Sequence, residues 1–168
     1  MNLNSYLSPQ VNEKIAEAPL SHFKILVVDD EEVIRATLCD MLESPRFTIQ
    51  TAVCGDDALV RATAFAPDLI LLDIELHDGM NGIEVCKALK HLPQTADVPV
   101  VFITGRSDLL APAFAAGGAD YINKPVHLTE LHARVNSQLK IRQLMQTLRL
   151  LNEYYEQRVN ELEYAMLV

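Results

Sequence analysis

Acidic, hydroxyl and basic side chains follow several strand-like segments of this sequence, at positions where a parallel sheet would gather them. Asp29 and Asp30 follow one apolar run, Asp73 follows a second, Thr104 follows a third, and Lys124 comes after a weaker segment. The carboxyl ends of parallel strands meet at one edge of a sheet, so we expect these side chains to converge. Three carboxylates at close range repel one another strongly, and this repulsion implies a bound cation.

The predicted cluster suits Mg²⁺ and a phosphoryl group. All-oxygen ligation with an incomplete protein shell is typical of Mg²⁺, which keeps several waters and accepts a phosphate oxygen. Lys124 would supply a second positive charge for the bound anion, and Thr104 would supply a hydroxyl donor. Phosphoryl transfer depends on positioning and charge neutralisation, and Asp73, central in the predicted sheet, is the natural nucleophile for an acyl phosphate.

Strand-like and helix-like segments alternate between residues 24 and 127, which indicates a parallel sheet covered by helices. The predicted strands are residues 24–28, 47–53, 68–72, 98–103 and 120–123, of which the second and the last are the outer ones. The predicted helices are residues 31–43, 56–66, 82–91 and 111–116, and a last helix begins near Leu128. Successive βα units of this kind form a doubly wound α/β fold.

Four short motifs in these segments resemble those of one protein family. They are ILVVDDE at residues 25–31, LLDI at 71–74, IT at 103–104 and DYINKP at 120–125. In combination they are similar to the receiver domain of two-component response regulators, over residues 23 to about 140. The resemblance implies a flavodoxin-like, five-stranded parallel sheet in the order 2-1-3-4-5, followed by a long C-terminal helix.

The resemblance also implies how the site works. Asp73 would accept a phosphoryl group from a histidine kinase or phosphotransfer protein, and Lys124 would hold that group. Asp30, Asp73 and the backbone carbonyl of Glu75 would bind Mg²⁺ directly, with Asp29 acting through water. The chain would be a signalling protein that catalyses its own phosphorylation and dephosphorylation, not an enzyme with a separate substrate.

Side chains around the acceptor are expected to tune this reaction. By the same resemblance, Thr104 together with Tyr121 would change position on phosphorylation. Glu75 and Arg106 flank the acceptor and the threonine, and we expect them to modulate the lifetime of the phosphoryl group.

Pro112 falls where the fourth helix should run, and a proline inside a helix costs about 3 kcal/mol, so we expect that helix to be short.

Neither the histidines nor the cysteines indicate a further site. His77 stands where receivers commonly have a proline, yet the five histidines show no ligand spacing, and we interpret all of them as ordinary side chains. Cys39, Cys54 and Cys86 are odd in number and far apart, which predicts reduced thiols without a disulfide framework.

The last helical pattern continues without Gly or Pro from Leu128 to Val168, and a helix of about 60 Å is too long to pack on one small domain. Eight residues recur in it at alternating spacings of four and three: Ile141, Met145, Leu148, Asn152, Tyr155, Val159, Leu162 and Met166. These spacings form a heptad repeat in which Asn152 takes an a position. One Asn at an a position commonly fixes the register of a two-stranded parallel coiled coil. We therefore predict a parallel homodimer, with packing against another domain as the alternative.

Length, composition and charge limit the other possibilities. The chain has 168 residues, 49% of them hydrophobic, and we divide it into a flexible extension (1–22), a receiver domain (23–140) and a coiled-coil helix (141–168). The net charge of −9 comes without a basic stripe, which predicts no nucleic acid contact. No apolar run approaches the ~18 residues of a membrane span and the N-terminus lacks a signal-peptide pattern, so we expect a cytoplasmic protein without membrane contact.

Two other functions remain open at this point. An aspartyl phosphatase of the haloacid dehalogenase type would carry its nucleophile on the first strand with an acid two residues later. Here the first strand is followed by the adjacent pair Asp29 and Asp30, and the central Asp73 lies on the third. A receiver-like interaction module that is never phosphorylated would have no need of Asp73, Thr104 and Lys124 together. Both observations favour the phosphorylated receiver.

Overall fold

The computed structural model describes residues 22–167, except for the side chains of residues 163 and 165–167, so residues 1–21 of the predicted N-terminal extension lie outside the described residues. The strands are β1 (Phe23–Val28), β2 (Phe47–Ala52), β3 (Leu69–Asp73), β4 (Val100–Thr104) and β5 (Asp120–Asn123). The helices are α1 (Glu32–Met41), α2 (Gly55–Phe65), α3 (Gly82–His91), α4 (Leu110–Ala115) and α5 (Leu128–Leu167). A 3₁₀ turn at Ser107–Leu109 precedes α4.

The strands form one parallel sheet in the order β2-β1-β3-β4-β5, which confirms the predicted flavodoxin-like fold. β1 pairs with β2 on one side and with β3 on the other, so the strand order reverses at β1. In open sheets of this type, functional groups collect beyond the carboxyl ends of the strands at this reversal. The residues that follow β1 and β3 therefore lie at the position where a site is expected.

The three central strands are apolar except for Lys24 and the terminal Asp73 and Thr104, and helices cover both faces of the sheet. Every residue of β3 and β4 is buried, whereas β2 alternates between half-buried and exposed positions, as an outer strand does. One face packs against α2, α3 and α4, through residues such as Leu72, Phe102 and Val85. The other face packs against α1 and the first turns of α5, through residues such as Leu38 and Val135. Residues His22–Lys140 form one compact unit.

The start of α3 is fixed by a capping box and by a glycine. The side chain of Asn81 accepts a hydrogen bond from the backbone N–H of Glu84, and the side chain of Glu84 accepts one from the N–H of Asn81. A Cβ atom on Gly82 would lie 2.0 Å from the backbone oxygen of Asp73. Only glycine permits this approach, and the N–H of Gly82 donates to the carbonyl of Ile74 at 3.0 Å, which holds the loop between β3 and α3 against the end of β3.

The fourth helix is short, as Pro112 predicts. α4 has six residues, and Pro112 lies in its first turn, where the missing N–H of a proline removes no hydrogen bond within the helix. The carbonyl of Pro112 still accepts a hydrogen bond from the N–H of Ala116, which closes the helix.

The last helix, α5, runs from Leu128 to Leu167. Within residues 141–162, the apolar members of the predicted seam are 49% to 57% exposed: Ile141, Met145, Leu148, Tyr155, Val159 and Leu162. Asn152 is also exposed, and the side chain of Met166 lies outside the described part of the chain. Among the described residues, no helix has the length and apolar character needed to cross a membrane.

Candidate functional site

Two neighbouring strands present carboxylates at the reversal of strand order. Asp29 and Asp30 directly follow β1, and Asp73 is the last residue of β3, which pairs with β1. β4 ends in Thr104, which pairs in register with Asn123 of β5, so that Lys124 lies one residue beyond this pair. The backbone N–H of Lys124 donates to the carbonyl of Thr104 at 2.9 Å. The fold thus brings all five predicted side chains to one edge of the sheet.

Lys124 lies between two buried carboxylates. Its Nζ donates to Oδ2 of Asp73 at 2.7 Å and lies 3.5 Å from Oδ2 of Asp29. The side chains of Asp29 and Asp73 are 1% and 2% exposed, whereas that of Lys124 is 23% exposed. One ammonium therefore neutralises part of a buried double negative charge, and it is reached from solvent on one side.

Burial changes the protonation equilibria of this group. Burial, together with a smaller effect of the charge of Asp73, raises the pKa of Asp29 to about 6, although the hydrogen bond from the N–H of Glu31 and the charge of Lys124 oppose this rise. Burial alone would lower the pKa of Lys124, but the hydrogen bond and charge of Asp73 outweigh it, so that this pKa is raised. The site without a metal ion therefore holds more negative charge than its burial favours, which is the electrostatic condition for binding a cation.

Asp30 is held by His77, a contact that sequence reasoning missed. His77 Nδ1 lies 2.5 Å from Oδ2 of Asp30, and the backbone N–H of His77 donates to the same oxygen at 3.2 Å. Burial would raise the pKa of Asp30, but the hydrogen bonds from His77 outweigh it and lower that pKa. The interpretation of His77 as an ordinary side chain did not include this contact. The sequence feature that could have predicted this contact is the position of His77 in the loop after β3, because that loop must pass the edge of the sheet where Asp30 lies.

The three aspartates fit a hard divalent ion. One carboxylate oxygen from each of Asp29, Asp30 and Asp73 lies within 4.8 Å of the others. Oδ1 of Asp30 is buried and has no hydrogen-bond partner among the residues that the structure describes, an arrangement that costs free energy unless a ligand or ion occupies the position. Carboxylate oxygens are the ligands that Mg²⁺ prefers. The backbone N–H of Glu75 donates to Oδ1 of Asp73 at 3.1 Å, which fixes the loop that would supply the Glu75 carbonyl.

Thr104 presents a buried hydroxyl at the end of β4. Its Oγ1 accepts a hydrogen bond from the backbone N–H of Arg106 at 2.9 Å, which leaves the hydroxyl hydrogen able to donate elsewhere. The Arg106 guanidinium is paired with Asp108, with Nη2 2.6 Å and Nε 3.2 Å from its two carboxylate oxygens. The hydrogen bond and charge of Asp108, and more weakly the charge of Glu75, raise the pKa of Arg106. Arg106 is thus exposed and held by Asp108, a partner that sequence reasoning did not identify.

Tyr121 lies on β5, half-buried, and is held by two neighbours. Its ring meets the ring of Phe114 edge to face, with centroids 6.0 Å apart. The Arg134 guanidinium lies 5.9 Å from the centroid of Tyr121, and its Nη1 is 3.2 Å from Oδ1 of Asp120. Its predicted movement stays a prediction.

Known proteins with similar sequences place this chain in a family. Residues 25–136 match the family model of the response regulator receiver domain. The phosphate regulon transcriptional regulatory protein PhoB of Rhizobium meliloti is 38% identical over 119 residues, which are 70% of this chain and 52% of that protein. The response regulator PleD of Caulobacter vibrioides is 38% identical over 129 residues, 75% of this chain and 28% of that protein. This chain therefore spans about half, or less, of the length of these curated relatives.

Solved structures show the same fold. The chemotaxis response regulator CheY4 of Vibrio cholerae matches 70% of this chain and 99% of its own, with a TM-score of 0.66 and 25% sequence identity.

Proposed function

Because this chain belongs to the response regulator receiver family, we propose that it receives its signal as a phosphoryl group on Asp73, donated by a histidine kinase or phosphotransfer protein. The proposal includes dependence on Mg²⁺ and transmission of the phosphorylated state through a dimeric C-terminal helix. It also includes a cytoplasmic location and no contact with nucleic acid, since a chain of net charge −9 is repelled by a polyanion.

One observation carries the phosphorylation proposal: the buried carboxylate of Asp73 lies 2.7 Å from Nζ of Lys124 and beside two further aspartates. An oxygen of Asp73 would attack the phosphorus of a phosphohistidine, so that an O–P bond forms as the N–P bond breaks. The leaving imidazole keeps the electron pair and takes a proton from solvent. Lys124 would then pair with a phosphoryl oxygen, and Thr104 would donate its hydroxyl hydrogen to another.

The same aspartates would hold the metal ion. Asp30, Asp73 and the Glu75 carbonyl are the proposed direct ligands, and Asp29 is proposed to act through water. When bound, Mg²⁺ supplies positive charge that neutralises the oxygens of the transferring group. The unpartnered Oδ1 of Asp30 supports this assignment.

Incubation with a small phosphodonor and Mg²⁺, read by intact mass, tests the proposed function. We expect the mass of one phosphoryl group to be added, and we expect this gain to disappear when a chelator replaces Mg²⁺. If the mass does not increase when the phosphodonor and Mg²⁺ are both present, the proposal is contradicted. That result would favour a receiver-like interaction module that is not phosphorylated.

Glu75 and Arg106 are expected to set how long the phosphoryl group persists. Glu75→Gln should slow its hydrolysis about tenfold, because it removes a carboxylate able to orient and deprotonate the attacking water. Arg106→Ala should change the rate of hydrolysis, because it removes an exposed guanidinium two residues beyond Thr104, the residue whose hydroxyl is proposed to donate to the phosphoryl group. The decay of phosphorylated protein, followed by mass after removal of the donor, gives both rates.

Arg61→Ala is the matched control for Arg106, since Arg61 is also exposed and paired with an aspartate, Asp57, at 2.7 Å. It should leave the decay unchanged. Rates equal to the parent in both site variants would reject the modulating role.

The exposed seam of α5 supports the proposed dimer. Six apolar side chains between Ile141 and Leu162 recur at heptad positions and remain about half exposed in the single chain. Burial of such a stripe against a second copy is favourable, because apolar area removed from water contributes about 25 cal/mol per Å². Asn152, exposed in the same stripe, favours two parallel strands in register.

Two leucines of α5 give a matched test of this dimer. Leu148 lies in the seam and is 51% exposed, whereas Leu150 lies on another face of the same helix and is 53% exposed. We expect Leu148→Glu to be monomeric in sedimentation velocity at tens of micromolar, and Leu150→Glu to remain dimeric like the parent. A parent that sediments as a monomer, with and without phosphorylation, or equal behaviour of the two variants, would refute the proposed seam.

A further inference from the structure

His77 makes a contact that the proposed chemistry does not require. It belongs to the loop after β3, four residues beyond Asp73, and reaches Asp30 on the neighbouring strand end, 47 positions away in the sequence. Its side chain is 76% exposed, whereas that of Asp30 is 18% exposed. The imidazole therefore covers the solvent side of a mostly buried carboxylate.

Two donors of His77 bind the same oxygen of Asp30. The ring Nδ1 lies 2.5 Å from Oδ2, and the backbone nitrogen lies 3.2 Å from it. An ionised carboxylate only accepts hydrogen bonds, so both nitrogens act as donors. Oδ2 is thus satisfied, while Oδ1, which is buried, has no partner among the described residues.

We infer that His77 is a positioning residue of the proposed metal site, which orients Asp30 so that Oδ1 is left free for the ion. The inference rests on the proposed function, in which Asp30 is a direct ligand. Fixing a carboxylate before the ion arrives reduces the conformational entropy lost on binding. Ligating carboxylates are generally held by such outer hydrogen bonds, and loss of an outer partner typically weakens metal affinity by about 10- to 100-fold.

The opposite role would have a different signature. If His77 instead competed with the ion for the carboxylate of Asp30, removal of His77 would strengthen metal binding. The unpartnered oxygen favours the positioning role, because a contact that competed with the ion would be expected to satisfy Oδ1 as well. The sign of the change in affinity decides between the two.

Isothermal titration of the full chain with MgCl₂ alone, without a phosphodonor, tests this inference. Titrations at about pH 8.5, two units above the ordinary pKa of 6.5 for a histidine, reduce the positive charge of His77 even though the contact with Asp30 raises its pKa. His77→Ala and His77→Leu should weaken Mg²⁺ binding about tenfold, since the backbone N–H remains but the ring donor is lost. His77→Asn should restore most of the affinity, because its amide nitrogen can donate to Oδ2. His91→Ala, which removes an exposed histidine whose ring nitrogen contacts the carbonyl of Lys87 in the same helix, should bind like the parent.

Each possible result of these titrations either supports or overturns the positioning role. Affinity of His77→Ala within twofold of the parent, tighter binding, or an asparagine variant as weak as the alanine variant would overturn the positioning role. Parent protein that binds no Mg²⁺ at millimolar concentration would instead remove the metal site from the proposed function, and this inference with it. Because the side chain is mostly exposed, the variants should fold, and their unfolding temperatures in chelator should match the parent.

Discussion

Asp73→Asn is expected to gain no phosphoryl mass under conditions that label the parent completely. The amide is a far weaker nucleophile than a carboxylate and cannot form the acyl phosphate. The substitution keeps the size of a side chain that is 2% exposed, so the fold should persist. Intact mass after incubation with a phosphodonor and Mg²⁺ gives the answer directly, and circular dichroism of the same sample checks folding.

Asp56→Asn is the matched control for this variant. Asp56 is an exposed acid in the first turn of α2, so the same change of charge is made away from the site. It should be labelled like the parent. Labelling of Asp73→Asn to the parental extent would mean that another residue accepts the phosphoryl group, and the assignment of Asp73 would fail.

Asp29→Asn is expected to stabilise the protein without metal, by about 1 to 3 kcal/mol at neutral pH. The pKa of Asp29 is about 6 in the folded protein, above its ordinary value of 3.8, so the folded state binds this proton more tightly than the unfolded state does. Ionisation of Asp29 thus costs stability. That cost is absent below about pH 4, develops as the pH rises to about 6 and is complete above it. Urea unfolding in chelator, at pH values on both sides of this window, measures the difference.

Asp30→Asn provides the contrast for this prediction. The pKa of Asp30 is lowered because the hydrogen bonds from His77 outweigh burial, so its ionisation supports folding and its removal should not stabilise. Saturating Mg²⁺ should reduce or reverse the advantage of Asp29→Asn, because ion binding stabilises the parent by mass action. A variant at position 29 that is no more stable than the parent at neutral pH in chelator would contradict the electrostatic account.

The strands could be predicted from the sequence with small errors at the ends, and their order was implied by the resemblance to receiver domains. Apolar runs identify buried strands because both faces of a central parallel strand are covered. The fourth strand was expected to start at residue 98 but starts at Val100. Pro99 has no N–H for a strand pairing, and the N–H of Val98 donates to the carbonyl of Thr95 in a turn. Hydrophobicity alone cannot identify this difference in hydrogen bonding.

The side of the site formed by loops was beyond sequence reasoning. His77 shows no ligand spacing in the sequence, and its contact with Asp30 depends on how the loop after β3 folds back. Gly82 likewise looks like an ordinary helix start, yet it is the residue that allows this loop to approach the backbone of Asp73. Such contacts join residues whose separation in sequence carries no period, so no local pattern predicts them.

By itself, the sequence determined the doubly wound fold and the convergence of Asp29, Asp30, Asp73, Thr104 and Lys124, since residue type and hydrophobic period are local properties. Only the tertiary structure decided the charge state and the partners of these groups. The raised pKa of Asp29 and the free oxygen of Asp30 arise from burial and from distances between strand ends. Burial and distance exist only once the chain has folded.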